Sequence, residues 1–257
     1  MDMDVWFYTY GCGYAPPGWA IQSLPYTNRV YVVLGGRAFF LSDAGERPLL
    51  PGRLYLFPHR LPFRVRQEES DRIFHLYFDF MLAPPLLGET LVEMPVEQDS
   101  LLAHTVECLQ RTVHAPGDPA RAADEPLVYG YFANLLRLIF REHPDLPLSD
   151  ERMTGVLRCI HEEFAQPLTD EVLARTAHME KNHFIRVFRR ATGMTPHQYL
   201  RECRLNRAIA LLKAGETVSR AAQACGYESA SSLSAAMVKS RGARPGEVRR
   251  GEGMDKK

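Results

Sequence analysis

From residue 5 to about residue 80 the apolar positions fall in short runs separated by turn residues. Val30-Tyr31-Val32-Val33-Leu34, Ala38-Phe39-Phe40-Leu41, Arg53-Leu54-Tyr55-Leu56-Phe57 and Ile73-Phe74-His75-Leu76-Tyr77-Phe78 are rich in β-branched and aromatic side chains, which fit a pleated surface. Gly35-Gly36, Ser42-Asp43-Ala44-Gly45, Pro51-Gly52 and the pair Pro58 and Pro62 supply the turns. Short strands at this spacing predict an antiparallel barrel or sandwich.

From about residue 99 the period lengthens to that of a helix. Leu101, Leu102, Thr105, Val106 and Leu109 form one apolar face, and Leu127, Val128, Tyr131, Leu135, Leu138 and Ile139 form another. Ala115 to Pro126, rich in Pro, Gly and Asp, reads as the loop between them. His143 to Asp150, broken by Pro144 and Pro147, cannot continue a helix and reads as a linker. The expected fold is α+β in two domains. Residues 1–143 make a β-barrel with two helices, 144–150 the linker, 151–250 an all-α domain, and 251–257 a disordered tail.

Two domains suit 257 residues that are 46% hydrophobic and 24% charged, a globular composition. Met1-Asp2-Met3-Asp4 is acidic where a secretory signal is basic, and no run reaches the roughly 18 apolar residues of a membrane span, so a cytoplasmic protein is expected. Cys12, Cys108, Cys159, Cys203 and Cys225 lie far apart, which suits reduced thiols rather than a disulfide framework. Charge divides the chain more sharply. Residues 1–148 carry 12 Lys and Arg against 18 Asp and Glu, and residues 149–257 carry 19 against 13. A neutral chain with one basic half fits a nucleic-acid-binding domain joined to a domain that does not bind.

Residues 169–190 have the parts of a helix-turn-helix. Thr169 caps a helix whose inner positions are Val172, Leu173 and Ala177, and small Ala174 permits close approach. His178-Met179-Glu180 forms the turn. Lys181 to Arg190 then makes a second helix, with Phe184, Val187 and Phe188 inward and Asn182, Ile185, Arg186, Arg189 and Arg190 outward. Gly193 stops it, and Thr195-Pro196 starts a long helix from His197 to about Lys213. At about 1.5 Å per residue that helix spans roughly 25–27 Å, a spacer suited to two reading heads on neighbouring major-groove faces about 34 Å apart. The pattern recurs 48–49 residues on: Ala221-Ala222, the turn Gly226-Tyr227, a cap at Ser229, a helix from Ala230 to about Lys239, and Gly242-Ala243-Arg244-Pro245. An internal repeat is a stronger signal than either motif alone.

Pro167 to Arg250 resembles the DNA-binding domain of the AraC/XylS family of bacterial transcription regulators. The resemblance is carried by Leu173-Ala174, Met179, His183-Phe184, Arg186, Phe188, Gly193-Met194-Thr195-Pro196, Tyr199-Leu200, Arg204-Leu205, Ala208, Leu211-Leu212, Ala222, Ala224-Cys225-Gly226-Tyr227 and Pro245. It implies a seven-helix domain spanning two successive major-groove segments. It also implies base-facing positions at Asn182, Ile185 and Arg186 in the first motif, and at Ala230, Ser231, Ser234 and Ala235 in the second. Lys181, Arg189, Arg190 and Lys239 complete the expected DNA surface. Arg186 suits guanine and Asn182 adenine, whereas Ile185 can only touch a thymine methyl. The second motif departs from the family pattern, with Leu233 and Met237 where Phe is usual and Ala235 where Arg is usual. The first motif is expected to specify and the second mostly to position.

The strand-rich half resembles, more weakly, the cupin-like sensor domain of sugar-responsive members of that family, through Leu50-Pro51-Gly52-Arg53-Leu54-Tyr55-Leu56-Phe57-Pro58 and a later strand with His75 and Tyr77. The resemblance implies an effector pocket using His75 and Tyr77, which share a strand face, with Trp19 and His59 as further candidates. The alternative is that these are core residues. The aromatic density of Trp6, Phe7, Tyr8, Tyr10, Tyr14 and Trp19 suits an arm over a pocket or a plain core. A catalytic cupin needs His-x-His and a further His with a carboxylate, and only His59 and His75 are present, so no metal or cofactor is expected. The expectation is a sequence-specific regulator, an activator acting with RNA polymerase. It binds double-stranded DNA and a small-molecule effector such as a sugar, as a homodimer with no membrane association. The rival is a cupin-type isomerase or oxygenase with an accessory DNA-binding domain.

Overall fold

A computed structural model describes residues 3–22, 27–114 and 120–249, without side chains over 120–123. The chain divides into two units, Met1–Asp150 and Glu151–Lys257.

Unit 1 holds strands β1 (Asp4–Tyr14), β2 (Ala20–Gln22), β3 (Asn28–Gly35), β4 (Ala38–Ser42), β5 (Gly45–Leu49), β6 (Arg53–Phe57), β7 (Arg64–Gln67), β8 (Phe74–Ala83) and β9 (Val92–Pro95). They form two antiparallel sheets, ordered β1-β8-β3-β6-β9 and β2-β7-β4-β5. The expected closed barrel is corrected to an open sandwich, since no strand pair joins the two sheets among the described residues. Edge strands β2 and β9 run for only three and four residues, and edge strand β5 carries Pro48, which has no N–H to donate. None offers the ladder that closure needs.

Strand alternation sorts the core. On β3, Val30 and Val32 face helices α1 (Leu101–Thr112) and α2 (Ala120–Glu142), while Tyr31 and Val33 face the second sheet. The aromatic start of the chain is a strand, not an arm: β1 pairs along β8 from Asp4↔Ala83 to Tyr14↔Phe74, and Phe7 packs its ring 5.2 Å from Phe132 of α2.

Leu101 and Leu127, expected on the inner helix faces, are 64% and 50% exposed. Each precedes its buried stripe by one residue, about 100° round the helix. Helix α2 starts at Ala120 and holds Pro126 inside it, so the expected loop is partly helix, and 115–119 lie outside the described residues. Ala120, Ala122 and Ala123 are strong helix formers, which favours that early start.

The segment 144–150 lies along unit 1. Leu148 bridges to Leu86, the Leu87 N–H donates to the Pro147 carbonyl at 2.7 Å, and the Ser149 N–H donates to the Pro85 carbonyl at 2.8 Å. Leu146 and Leu148 bury against the helix–sheet core, an apolar gain for a segment whose prolines forbid helix.

Unit 2 is helical: α3 (Arg152–Glu163), α4 (Asp170–Thr176), α5 (Lys181–Thr192), α6 (Pro196–Lys213), α7 (Val218–Ala224), α8 (Ala230–Arg241) and α9 (Pro245–Arg249). That makes seven helices among the described residues; Arg250 and the tail expected at 251–257 lie outside them. Helix α6 is central and buries Tyr199, Leu200, Leu205, Ala208, Ile209 and Leu212. The Arg204 guanidinium donates to the carbonyls of Phe164 and Gln166 at 2.7 and 2.8 Å, fixing the chain beyond α3 to α6.

Candidate nucleic-acid interface

Helices α4 and α5 make the first helix-turn-helix. Thr169 caps α4 by accepting from the Val172 N–H at 3.3 Å, and buried Ala174 sits where the helices cross. His178 turns the chain at φ 52°, and the Met179 N–H closes onto the Ala174 carbonyl at 2.9 Å. Helix α5 is then capped by a carboxylate: Glu180 accepts from the His183 N–H at 3.0 Å. Those backbone bonds, with Arg186 nearby, hold Glu180 below its ordinary pKa.

Phe184 and Phe188 are fully buried and stack toward Tyr199 of α6, with Phe188 and Tyr199 5.6 Å apart edge to face. Val187, expected inward, is only half-buried; the inner face turns instead to Ala191 and Thr192. Asn182, Arg186, Arg189 and Arg190 are exposed, and Ile185 is partly buried among them. Lys181 is exposed, but its ammonium donates to Glu171 at 2.6 Å. Gly193 closes the helix in the left-handed region at φ 77°. A capping box of Thr195 and Gln198, with Pro196 at the first turn, starts α6.

The second motif repeats this frame with other chemistry. Thr217 caps α7, Ala221 and Ala222 are buried at the crossing, and Gly226 turns at φ 71°. A Cβ at Gly226 would stand 2.5 Å from the Ala165 carbonyl oxygen, so the turn is seated against the end of α3. Ser229 and Ser232 form a capping box, and Leu233 and Met237 are fully buried anchors. Ser231, Ala235 and Lys239 are exposed, while Ala230 and Ser234 are partly buried. The Ser234 hydroxyl already donates to the Ala230 carbonyl at 2.8 Å. Apart from Lys239, this face offers short side chains where the first offers an amide and three guanidiniums.

In unit 1 the interior between the sheets gathers some of the expected effector residues. His75 is buried, with ring centroids 5.4 Å from Trp19, 4.9 Å from Tyr31 and 5.4 Å from Tyr77. Burial and the charge of Arg29 push its pKa down to about 4, so it is neutral at pH 7. His59 is also buried, its backbone N–H donating to Asn28 Oδ1 at 2.9 Å.

The sequence reading missed Arg29 and Asp79, a buried ion pair on the same interior face as Tyr31, His75 and Tyr77. The signal was polar residues at alternate positions of two apolar runs, 29-31 on β3 and 75-77-79 on β8. Arg29 Nη2 donates to Asp79 at 2.6 Å, Nε donates to the other oxygen, and Nη1 has no partner among the described residues. His75 Nδ1 and Gln67 Oε1 are likewise buried without partners there. Among the described residues no three His, Cys, Asp or Glu side chains gather as a metal site requires.

Two helix-turn-helix motifs on one central helix, in a chain that also carries a sandwich unit, define a DNA-binding transcription regulator. Residues 173–251 match the helix-turn-helix domain family. The chain is 26% identical to the HTH-type transcriptional regulator YbfI of Bacillus subtilis over 83% of this chain and 82% of that one. It is 32% identical to an AraC-like transcription regulator of Streptomyces lividans over 40% of this chain and 34% of that one, about a third of that protein's length. The fold is that of ToxT from Vibrio cholerae, with a TM-score of 0.60 at 10% identity over 96% of this chain and 97% of that one. ToxT with an unsaturated fatty acid bound aligns at a TM-score of 0.58 and 11% identity, covering 95% of this chain and 94% of that one. The helix-turn-helix family match falls within the C-terminal unit, and these relatives are named as transcription regulators.

Proposed function

We propose that the chain is an effector-controlled transcription regulator in which the first helix-turn-helix reads bases and the second mainly positions the protein. The contrast between the two exposed faces carries this reading. Arg186 and Asn182 have the donors and reach for bidentate contacts to guanine and adenine, and Ile185 suits a thymine methyl. Arg189, Arg190 and Lys181 suit phosphates, as does Lys239 on α8. Ala230, Ser231, Ser234 and Ala235 support approach to the backbone more than discrimination between bases. Selection from a random-sequence duplex library tests it: the enriched site has one strongly specified segment and one degenerate segment. Two equally specified segments sink it.

The effector lies between the two sheets of unit 1. What supports this is the unpartnered Arg29 Nη1 and His75 Nδ1 among the rings of Trp19, Tyr31 and Tyr77, since buried polar groups ordinarily have partners. A sugar suits hydrogen-bonding groups set among aromatic faces. The fold shared with ToxT favours a second reading, a fatty acid with its carboxylate at Arg29. A thermal-shift series with monosaccharides and with palmitoleate separates the two, and Arg29→Met abolishes whichever shift is seen. Homodimerisation through α1 and α2 is supported by the exposure of Leu101, Leu127 and Tyr129 and is tested by sedimentation. Activation through RNA polymerase, in the cytoplasm, is tested by transcription from the selected site.

A further inference from the structure

The two recognition helices end differently, although the repeat aligns their glycine caps. Thr192 precedes Gly193, and its hydroxyl folds back onto the Phe188 carbonyl at 2.9 Å. Arg241 precedes Gly242 and reaches out of its helix to α6. Arg241 Nη2 donates to Glu202 Oε2 at 2.6 Å and to Asn206 Oδ1 at 2.9 Å, and Nη1 donates to Ser240 Oγ at 2.7 Å. Ser240 Oγ in turn donates to Glu202 Oε1 at 3.1 Å. Glu202 is only 3% exposed, so both oxygens of a buried carboxylate are engaged by the last two residues of α8.

A buried ion pair is a poor source of net stability, because desolvation opposes the attraction, but it admits few alternative geometries. That property matters most where the reading face is short. A long arginine finds its base from a range of helix positions, whereas Ala or Ser meets DNA only if the helix backbone itself lies close. Contact by the second motif therefore depends on how α8 is held, more than contact by the first depends on α5.

We propose that Glu202 and Arg241 are positioning residues that fix α8 against α6 in the orientation in which the second motif meets DNA. This deepens the DNA-reading proposal above and rests on it. The full chain first selects its site from the random-sequence library, and the selected duplex is then footprinted with hydroxyl radicals. With Glu202→Gln or Arg241→Gln, protection over one of two adjacent segments disappears. The segment sensitive to Arg186→Ala keeps its protection, and affinity falls roughly tenfold.

A variant that keeps the native thermal transition decides the matter. Wild-type protection of both segments by such a variant overturns the proposal. Loss of the native transition in both variants also overturns it, because the pair is then a support of the fold. If the unsubstituted chain enriches no sequence, the DNA-reading proposal itself falls, and the clamp with it.

Discussion

Arg29 on β3 and Asp79 on β8 stand opposite each other in the sheet register and form a two-bonded ion pair inside the sandwich. The carboxylate raises the guanidinium pKa above its already high ordinary value, so the charge on Arg29 is permanent.

Removing one partner leaves the other charge buried and uncompensated. Asp79→Ala is expected to lower the stability of unit 1 by about 3–5 kcal/mol, and the double variant Arg29→Met with Asp79→Leu by much less. Urea unfolding of the full chain, followed by the fluorescence of Trp6 and Trp19, measures both. Equal losses in the single and double variants contradict the pairing.

The unequal motifs lead to unequal mutations. Arg186→Ala is expected to cost about 1–3 kcal/mol on the selected site and to relax preference at one base position. Ala235→Arg adds a donor to a short face and leaves affinity unchanged or tightens it. Equilibrium titration at two salt concentrations reads each, since a phosphate contact changes the salt slope whereas a base contact changes specificity.

Two glycines separate strain from clash. Gly215 and Gly226 both have positive φ, 92° and 71°, but a Cβ at Gly215 meets open space, whereas at Gly226 it meets the Ala165 carbonyl. Gly215→Ala is expected to cost about 1–2 kcal/mol from the backbone conformation alone. Gly226→Ala costs more and shifts the second motif. Thermal unfolding ranks them, and equal transition temperatures refute the account.

Acid should weaken the fold through two histidines. His161 donates or accepts at 2.8 Å with the Tyr199 hydroxyl, and burial pushes its pKa to about 3, as it pushes that of His75 to about 4. Both are neutral when folded, while the unfolded chain protonates them near 6.5. Their contribution is full above about pH 6.5 and is lost as pH falls toward 4 and 3, with a slope of about 1.4 kcal/mol per pH unit for each. His161→Phe removes one such slope from a urea-unfolding series between pH 4 and 7. An unchanged slope rules out His161 as its source.

The first motif could be read from the chain because its signals are local. Phe184 and Phe188 lie one helical turn apart, and Gly193 to Pro196 is a contiguous stop and start. Glu180 escaped notice as a cap because Ser, Thr, Asp and Asn ordinarily fill that place. Arg29 with Asp79 and Glu202 with Arg241 are 50 and 39 residues apart, joined only by strand register or helix packing. His75 and Tyr77 were legible as a shared strand face, but Trp19 reaches them through tertiary packing. Whether strands close into a barrel depends on their edges, and periodicity within a strand carries no information about which edges meet.

Pro48 has a bearing beyond barrel closure. Strand β5 presents Glu46, Arg47 and Pro48 at the open margin of its sheet, the kind of margin along which another chain's backbone can zip. A missing donor and two charges blunt that templating, which disfavours fibrous stacking of copies at this margin. Self-association there would have to proceed through side chains, whose complementarity can be selected, rather than through main-chain ladders, which accept almost any sequence.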